Sequence, residues 1–581
     1  MSLMNRTSGI LLPIFSLPGT KYTGALGRNA RSFADFLACS GQNWWQLLPI
    51  NPIDYVFSPY SSCSAFAGEP LYLDLEEFID EGLLDPEDLA NYLDDSDSEN
   101  TGKVDYSAAQ KARWPLQRKA FARFREKKGG EKYRSQLDSF REENRFWLPD
   151  FMLYQAISMK FRTPAWSNWP EEYRNYSLWI DSDKNFTDRV HQEKDILEYT
   201  EYSEFQQLVF EVQWQAFKQY CNERHIELLG DVPIYVGQAS SDTWAHRDLF
   251  QINEKGHLYR VAGVPGDSFN PDGQRWNSPL YQWNQHEETG FQWWIDRMKQ
   301  TLKRFDAVRL DHFIGFYNYY SFPGEAAGPE EPLEDGDPGY EKGWKAGPQH
   351  RLFDTLFSHF PRESFIAEDL GVMNSGVHNL RDHYSLPGME VLQFSFDWNR
   401  TDDPTRNWRP NSVVCTGTHD TVPIIAWIAG LEKGGPHPAF GPLFTNVWKI
   451  IRNYQREEEK KDPDFQAQPE LYREEVEGWR YSASNPEEEK DLLFGIPDRA
   501  IPIREDIHAL KKALIRMVMN SAGNTALFPL QDILGLGAET RMNFPGRSGG
   551  NWSWRLKKSE INENIQNEVL QLTREANRSW C

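Results

Sequence analysis

Cysteine is scarce in this sequence, and the few that occur show no common arrangement. There are 5 cysteines in 581 residues, an odd number, and they are scattered without any C-x-x-C spacing. Disulfide frameworks and structural zinc sites both depend on regular cysteine spacing, so neither is expected. Isolated cysteines are typical of a reducing compartment, and we therefore expect a cytoplasmic location.

Long apolar runs are missing as well. No segment approaches the roughly 18 consecutive apolar residues that a membrane-spanning helix needs. The apolar segment 10–15 follows Arg6 and has some likeness to a signal peptide, but Pro13 interrupts it. We interpret this segment as a first β-strand and expect no association with membranes.

Basic residues are outnumbered by acidic ones. There are 63 Lys and Arg against 86 Asp and Glu, which gives a formal net charge of −23 at pH 7. Nucleic acids and anionic membranes bind through basic side chains that neutralise phosphates, so neither is an expected partner. The sequence also lacks a G-x-x-x-x-G-K-[ST] or G-x-G-x-x-G loop, so no nucleotide cofactor is expected.

Aromatic residues, by contrast, are abundant. The chain has 22 Trp, 24 Tyr and 35 Phe, together 14% of its residues. Many of them must pack in the core, but Trp and Tyr also offer flat apolar faces with a polar edge. Sugar rings, which have apolar C–H faces and hydroxyl rims, bind well to such surfaces. The composition therefore favours a carbohydrate ligand.

Eight short apolar runs with helical patterns between them indicate the fold class. This α/β pattern predicts a (β/α)8 TIM barrel with large inserted subdomains around the C-terminal face of its strands. We predict one catalytic domain over residues 1–581, with insertions that build the walls of the cleft near 56–203, 245–292, 316–350 and 430–506. The predicted strands are 9–15, 44–50, 228–236, 307–313, 364–371, 390–397, 413–420 and 526–534.

Amphipathic patterns predict helices between these strands and a loop in the third insertion. The segment 323–348 is rich in Gly, Pro and acidic residues, which is typical of a long loop. The predicted helices are 31–38, 108–127, 131–145, 151–161, 204–224, 294–303 and 507–519.

The segment 305–313 is the most informative of the predicted strands. Alternation along a strand would place Val308 and Leu310 on one face and Arg309 and Asp311 on the other. The apolar face suits packing under helices, whereas the charged face requires polar neighbours. At the C-terminal end of a barrel strand such a pair indicates chemistry, although a structural ion pair explains it equally well.

Similar residues follow other predicted strands and favour a functional site. Mutual repulsion among acidic groups at one barrel mouth is unfavourable unless their charge is used. Carboxylates there can bind Mg²⁺ or Ca²⁺, or they can perform glycoside chemistry with one nucleophile and one proton donor. The aromatic excess favours glycoside chemistry without a metal or cofactor. The residues concerned are Asp231, Asp311 with His312, Glu368 or its neighbour Asp369, and His419 with Asp420.

Ten short motifs, in order, resemble one enzyme family over almost the whole chain. The chain is similar to the 4-α-glucanotransferases, also called amylomaltases or disproportionating enzymes. The motifs are LPG (17–19), WQLLP (45–49), SPY (58–60), SAFAG (64–68), GDVPI (230–234), GQRW (273–276), RLDHF (309–313), AEDLG (367–371), GTHD (417–420) and RMNFPG (541–546).

The resemblance implies roles that the residues alone leave open. It matches Asp311 to the nucleophile, Glu368 rather than Asp369 to the general acid/base, and Asp420 to a third carboxylate that holds sugar hydroxyls. Arg309 would lie beside Asp311 and keep it ionised. The substrate-binding positions implied in this way are Tyr60, Asp231, Arg309, His312, His419, Trp276 and Phe269.

The activity implied is transfer of an α-1,4-glucan segment to the 4-hydroxyl of an acceptor glucose or glucan, by a retaining double displacement. The expected partners are α-1,4-glucans and maltooligosaccharides. An α-amylase-type hydrolase and a non-catalytic glucan-binding protein are the alternatives. Two departures from the family pattern concern the substrate subsites: Thr421 follows Asp420 in place of Asn, and residues 265–269 read PGDSF in place of PPDYF.

Overall fold

A computed structural model provides the three-dimensional structure. It describes residues 6–53, 57–90, 102–266, 273–327, 335–337, 340–371, 374–396, 403–432, 501–547 and 549–579. Phe269 and most of the predicted insertion at 430–506 therefore lie outside the described residues.

Eight parallel strands form the central sheet, in the order β10-β11-β12-β1-β2-β3-β6-β9. Each of them overlaps one of the eight predicted runs. Their bounds are β1 Thr7–Leu11, β2 Trp44–Gln46, β3 Glu227–Val232, β6 Ala307–Leu310, β9 Phe365–Ala367, β10 Gly388–Val391, β11 Ser412–Cys415 and β12 Thr525–Pro529.

The sheet curls round until its two edge strands meet. Strand β1 pairs with both β2 and β12, so the first and last strands are neighbours. At the other junction, between β9 and β10, the Ala367 N–H donates to the Pro387 carbonyl over 2.8 Å. The Met389 N–H donates to Asp369 Oδ1 over 2.7 Å across the same junction. The prediction of a (β/α)8 barrel is confirmed.

Alternating side chains fill the barrel and cover it. Ala307 belongs to a compact buried cluster with residues of the other barrel strands, including Trp44 and Leu229. Val308 and Leu310 belong instead to the larger apolar cluster that the helices share. Since side chains alternate along a strand, Arg309 follows Ala307 to the interior side, as the sequence predicted.

The helices form where apolar residues recur on one face. In α1 (Arg28–Cys39), Ala30, Phe33, Ala34 and Leu37 make a single buried stripe, and Phe36 is buried beside it. No helix in the described part of the chain combines the length and apolar composition needed to cross a membrane. Helices around and after the barrel strands are α1 Arg28–Cys39, α9 Lys194–Asn222, α12 Gln292–Arg304, α14 His350–His359, α15 Ser375–His383, α16 Leu392–Ser395, α17 Ile424–Glu432, α18 Ile501–Asn520, α19 Leu530–Leu534 and α20 Glu563–Glu575.

Shorter helices occupy the chain between β2 and β3 and between β3 and β9. The prediction of one helix at 131–145 is wrong, because the chain forms two helices with a break at Ser135 and Gln136. These helices are α2 Glu77–Asp80, α3 Tyr106–Arg125, α4 Glu131–Arg134, α5 Leu137–Glu143, α6 Leu148–Phe161, α7 Glu171–Arg174, α8 Asp188–Gln192, α10 Ser241–Ala245, α11 Trp283–Glu288 and α13 Ile314–Tyr317.

A second, antiparallel sheet of four strands has the order β5-β4-β7-β8. Its strands are β4 Arg260–Val264, β5 Gln274–Pro279, β7 Asn318–Pro323 and β8 Trp344–Ala346. The prediction of a loop throughout 323–348 is wrong where β8 pairs with β7. All three residues of β8 are only half-buried, so the strand has no apolar alternation for a sequence pattern to reveal.

Candidate functional site

The four predicted acidic residues Asp231, Asp311, Glu368 and Asp420 lie at or just beyond the C-terminal ends of barrel strands. Asp231 on β3 pairs in register with Arg309 on β6. Asp311 and Glu368 come directly after β6 and β9, and Asp420 lies in the turn after β11. Because parallel strands all end on one face of a barrel, these residues share one rim.

Arg309 is the centre of this group. Its Nη1 lies 2.8 Å from Asp231 Oδ1 and 2.8 Å from Asp311 Oδ1. Its Nη2 lies 4.0 Å from Glu368 Oε2. Burial lowers the pKa of Arg309, but the three carboxylates outweigh this effect and raise it well above its usual value. The guanidinium is therefore a permanent cation shared by three acids.

The sequence left open whether Arg309 and Asp311 form only a structural ion pair. The fully buried ion pair of Arg309 is instead with Asp231, whose side chain is 0% exposed. Asp311 differs: its side chain keeps 25% of its exposure, so a ligand can reach it. The strand end thus carries both a buried pair and an accessible carboxylate.

Burial decides the proton affinity of Asp311. It raises the pKa of this carboxyl to about 6, and the charges of Asp231 and Asp420 add to the effect, while Arg309 and His419 oppose it. Arg309 lies beside Asp311, as expected, and favours its ionised form, but desolvation by burial is the larger effect on the pKa. Asp311 is nevertheless mostly ionised at neutral pH.

Glu368 holds its proton more tightly. Burial and the neighbouring charge of Asp311 raise its pKa to about 8, against the opposing effects of Arg309 and two backbone N–H groups. The His312 N–H donates to Oε2 over 2.7 Å, and the Leu370 N–H donates to Oε1 over 3.0 Å. At neutral pH the site therefore pairs an ionised Asp311 with a protonated Glu368, which is the combination that nucleophilic and acid roles require.

Asp369, the neighbour that sequence reasoning could not separate from Glu368, is engaged elsewhere. Its carboxylate contacts the guanidinium of Arg381 and lies 3.3 Å from Arg409 Nη2. It also accepts the hydrogen bond from the Met389 N–H described above, and its side chain is 1% exposed. Asp369 therefore joins β9 to β10 and is not available to a ligand.

Tyr60, His419 and Asp420 form a second part of the site, which is joined to the first through Asp231. The Tyr60 hydroxyl donates to Asp231 Oδ2 over 2.6 Å, and its ring stacks on His419 at a centroid distance of 5.1 Å. Asp420 follows His419 and is the most accessible of the site carboxylates, with 42% of its side chain exposed. Its Oδ1 lies 3.4 Å from His419 Nε2.

Two further residues hold Asp420, and sequence reasoning gave them no role. Asn543 Nδ2 donates to Asp420 Oδ1 over 2.6 Å, and Arg541 Nη2 donates to the Asp420 carbonyl over 2.5 Å. The Asn543 N–H also donates to the His419 carbonyl over 3.1 Å. The RMNFPG motif was the available signal, but only the folded chain shows what it contacts.

His312 and Trp276 lie at the edge of the second sheet. Trp276, on β5, meets the His312 ring edge-on at a centroid distance of 4.8 Å. Burial lowers the pKa of His312 to about 4, so its imidazole is neutral. Its Nε2 is buried without a hydrogen-bond partner among the described residues. Phe269, the remaining predicted contact, lies outside the described residues.

Charge balance in the site comes from Arg309. Within the described ranges, no three His, Cys, Asp or Glu side chains are grouped in a way that could hold a metal ion.

Comparison with known proteins gives one consistent result. The family model described as 4-alpha-glucanotransferase matches residues 12–561. The 4-alpha-glucanotransferase of Streptococcus pneumoniae is 32% identical over 577 residues, which covers 98% of this chain and 97% of that protein. The 4-alpha-glucanotransferase of Thermus thermophilus is 34% identical over 561 residues, which covers 96% of each chain.

A solved structure agrees with these relatives. The amylomaltase from Streptococcus agalactiae in complex with acarbose superposes with a TM-score of 0.78 at 28% identity. The match covers 99% of this chain and 100% of that one.

Proposed function

Since this chain belongs to the 4-alpha-glucanotransferase family and transfers segments of α-1,4-glucans, we propose that Asp311, Glu368 and Asp420 carry that transfer. The observation that supports these roles is that Asp311 and Glu368, both near the Arg309 guanidinium, have different pKa values. Asp311 has a pKa of about 6 and Glu368 a pKa of about 8. Between these values the first is an anion and the second an acid.

In the first step, an Asp311 carboxylate oxygen attacks the anomeric carbon of the donor glucan. The bond from that carbon to the glycosidic oxygen breaks, and Glu368 transfers its proton to the departing oxygen. The products are a β-glucosyl ester on Asp311 and the released part of the glucan. Asp420 holds hydroxyls of the donor sugar while positive charge develops on its ring.

In the second step, the 4-hydroxyl of an acceptor glucose or glucan attacks the same carbon. Glu368, now a carboxylate, takes the proton of that hydroxyl, and the ester bond to Asp311 breaks. Two inversions restore the α-linkage. Transfer exceeds hydrolysis when the acceptor is held and water is kept from the ester.

Sugar contacts are assigned to residues around the three acids. Tyr60, His419 and His312 offer ring surfaces or ring nitrogens to the sugar. Asp231 and Arg309 supply charged groups at the bottom of the site. Trp276 lies against His312 and extends this surface towards the second sheet. Phe269 stays a prediction, because it falls outside the described residues.

We also propose that residues 1–581 act as one catalytic unit, with the four insertions forming the cleft walls. A cytoplasmic location remains part of the proposal. It is supported by the free thiols of Cys39, Cys63, Cys221 and Cys415.

The product distribution from maltotriose tests the proposed activity. A transferase should yield glucose together with a ladder of longer maltooligosaccharides, with no net rise in reducing ends, because each bond broken is replaced. Chromatography of the products and a reducing-end assay measure both quantities. Mainly glucose and maltose with rising reducing ends would identify an α-amylase-type hydrolase. Binding of maltotriose without turnover would identify a glucan-binding protein.

A further inference from the structure

A buried carboxylate lies beneath the loop that carries His419 and Asp420, outside the group centred on Arg309. Asp532 belongs to α19, directly after the last barrel strand, and is 1% exposed. Its Oδ2 accepts a hydrogen bond from the Thr416 hydroxyl over 2.5 Å. Its Oδ1 accepts a second one from the Ile424 N–H over 2.7 Å.

The two partners of Asp532 are the two ends of one loop. Thr416 follows the last residue of β11, and Ile424 is the first residue of α17. A single carboxylate therefore fixes both ends of the segment 416–424. The contact at Ile424 also places a negative group at the N-terminus of a helix, where the unpaired N–H groups and the helix dipole favour it.

Further contacts keep the loop between these ends in one shape. The Thr421 hydroxyl accepts a hydrogen bond from the Thr418 N–H over 3.0 Å and donates to the Thr418 carbonyl over 3.1 Å. Gln393 Nε2 donates to the Val422 carbonyl over 2.8 Å. A loop that is rigid between its ends moves as a unit, so a shift at Asp532 would be transmitted to Asp420.

Holding the loop in this way is costly for the fold. Burial raises the pKa of Asp532 to about 6, although Thr416, Ile424 and Lys511 partly offset the effect. At neutral pH the carboxylate is thus ionised in surroundings that disfavour its charge, and a buried apolar side chain would avoid that penalty. What the charged carboxylate provides in return is a fixed position for both ends of the loop 416–424.

We propose that Asp532 is a positioning residue for the transfer reaction, which sets the place of Asp420 relative to Asp311 by tying both ends of the loop 416–424. It touches no sugar and no reacting atom. The inference rests on the proposed function, because it assumes that Asp420 acts on the donor sugar in the transition state.

Two substitutions of Asp532 separate geometry from charge. Asp532→Asn can keep both contacts, because its oxygen accepts from Ile424 and its amide donates to the Thr416 hydroxyl. Its kcat should stay within about 3-fold of the parent enzyme. Asp532→Ala removes both contacts, and a misplaced catalytic group can cost about 10²-fold, so a loss of that size is expected in kcat. KM for maltotriose should change much less, because Asp420 acts mainly in the transition state.

Tyr176→Phe provides a matched control. It removes a hydroxyl that donates over 2.5 Å to the buried carboxylate of Asp150, far along the chain from the loop. The control should lower the unfolding midpoint without changing kcat. If Asp532→Ala does not fold, Thr416→Val removes only the contact at one end, and a fall in kcat of about 5-fold or more is expected, corresponding to one lost hydrogen bond.

Asp420→Asn, measured in the same series, separates a failure of the proposed function from a failure of the role proposed for Asp532. If that variant keeps normal kcat, the proposed function fails and the inference fails with it. If Asp420→Asn loses activity while folded Asp532→Ala keeps its kcat, only the inference is overturned. Equal losses in Asp532→Asn and Asp532→Ala would also overturn it, because the contacts preserved by Asn would then be irrelevant.

Discussion

The site contains one guanidinium and three carboxyl groups around it. Arg309 faces Asp231, Asp311 and Glu368, so full ionisation would leave an excess of negative charge in a buried place. One proton retained in the group relieves that excess. It resides on Glu368, whose pKa is raised furthest above neutrality. Glu368 therefore keeps the proton needed for catalysis because burial and the neighbouring charge of Asp311 raise its pKa.

This arrangement predicts a bell-shaped pH dependence of kcat/KM. Activity should rise as Asp311 ionises near its pKa of about 6 and fall as Glu368 loses its proton near its pKa of about 8. Initial rates of glucose release from maltotriose, measured in steps from about pH 5 to about pH 9, give the two limbs. A profile without these limbs, flat from about pH 5 to about pH 9, would contradict the assignment of these acids.

Asp311→Asn should lose at least about 10³-fold in kcat, because the amide cannot form the covalent ester. The variant should not be less stable than the parent at pH 7. The pKa of Asp311 is raised to about 6, so this carboxyl favours the fold only while protonated, and that contribution is lost as pH rises through this value. Thermal unfolding at pH 4 and pH 7 checks the sign: the midpoint of the variant should improve relative to the parent at the higher pH. Near-normal turnover in folded protein would refute the nucleophile role.

At the scale of the elements, the sequence located the strands better than their ends. The predicted run 228–236 extends four residues beyond β3, which ends at Val232. Ile234, Tyr235 and Val236 are as buried as strand residues, and the Tyr235 ring packs against Trp276 and Tyr281. An apolar run therefore marks burial, and burial here continues past the last paired residue of the strand.

The second sheet was missed for the opposite reason. Strand β5 consists mainly of polar residues that are exposed or half-buried, and its partner β4 pairs with it through an irregular register. Such strands have no period-two apolar signal. The motifs led to the proposed roles of Asp311, Glu368 and Asp420, but the contact of Asn543 with Asp420 spans 123 positions and follows from no spacing rule.

Asn543 gives a prediction about the turn after β11. Asn543→Asp places a carboxylate where the amide now donates to Asp420 over 2.6 Å, so two anions would repel each other. Relative to the parent at the same pH, we expect the kcat of this variant to be about 10²-fold lower near pH 8 and less reduced near pH 5, because two carboxyls that repel each other retain a proton more readily.

Asn543→Ala is the neutral control for that experiment. It loses the same hydrogen bond without adding charge, so the ratio of its kcat to that of the parent should not recover on acidification. The same pH dependence in both variants would show that charge at position 543 is unimportant.

At the scale of the whole molecule, a buried network that stabilises the barrel lies at the N-terminal ends of its strands. The proposed catalytic residues lie at the C-terminal ends. Arg578 is 0% exposed and donates to backbone carbonyls at the N-terminal ends of β1 and β12. Its acceptors are Thr7 (2.9 Å), Met519 (2.7 Å), Ser521 (3.3 Å), Gly523 (2.7 Å) and Asn524 (2.8 Å). This one side chain thus joins the first strand, the last strand and the end of the described chain, on the face away from the site.

Arg578→Ala should therefore destabilise the protein without altering the chemistry. It removes five hydrogen bonds from one buried charged donor, although Arg6 and the Thr7 N–H still donate to three of the carbonyls, so the free energy of unfolding should fall by about 3 kcal/mol. Arg516→Ala is the matched control, because Arg516 keeps 38% of its exposure and pairs with Glu575 at 3.5 Å. A loss below about 1 kcal/mol is expected there. Urea titration and kcat on maltotriose measure both effects, and a large drop in kcat for folded Arg578→Ala would contradict this separation.

The closeness of Asp311 and Glu368 has a consequence for the order of events in turnover. Part of the proton affinity of Glu368 comes from the negative charge of Asp311. In the proposed mechanism that charge disappears when Asp311 becomes an ester, and the pKa of Glu368 falls. Glu368 therefore stays deprotonated after it has served as the acid. When the ester breaks, the charge on Asp311 returns, and Glu368 regains its affinity for the proton taken from the acceptor. Formation of the ester therefore favours the deprotonated Glu368 that the second step needs. Breakdown of the ester favours the protonated Glu368 that the next first step needs.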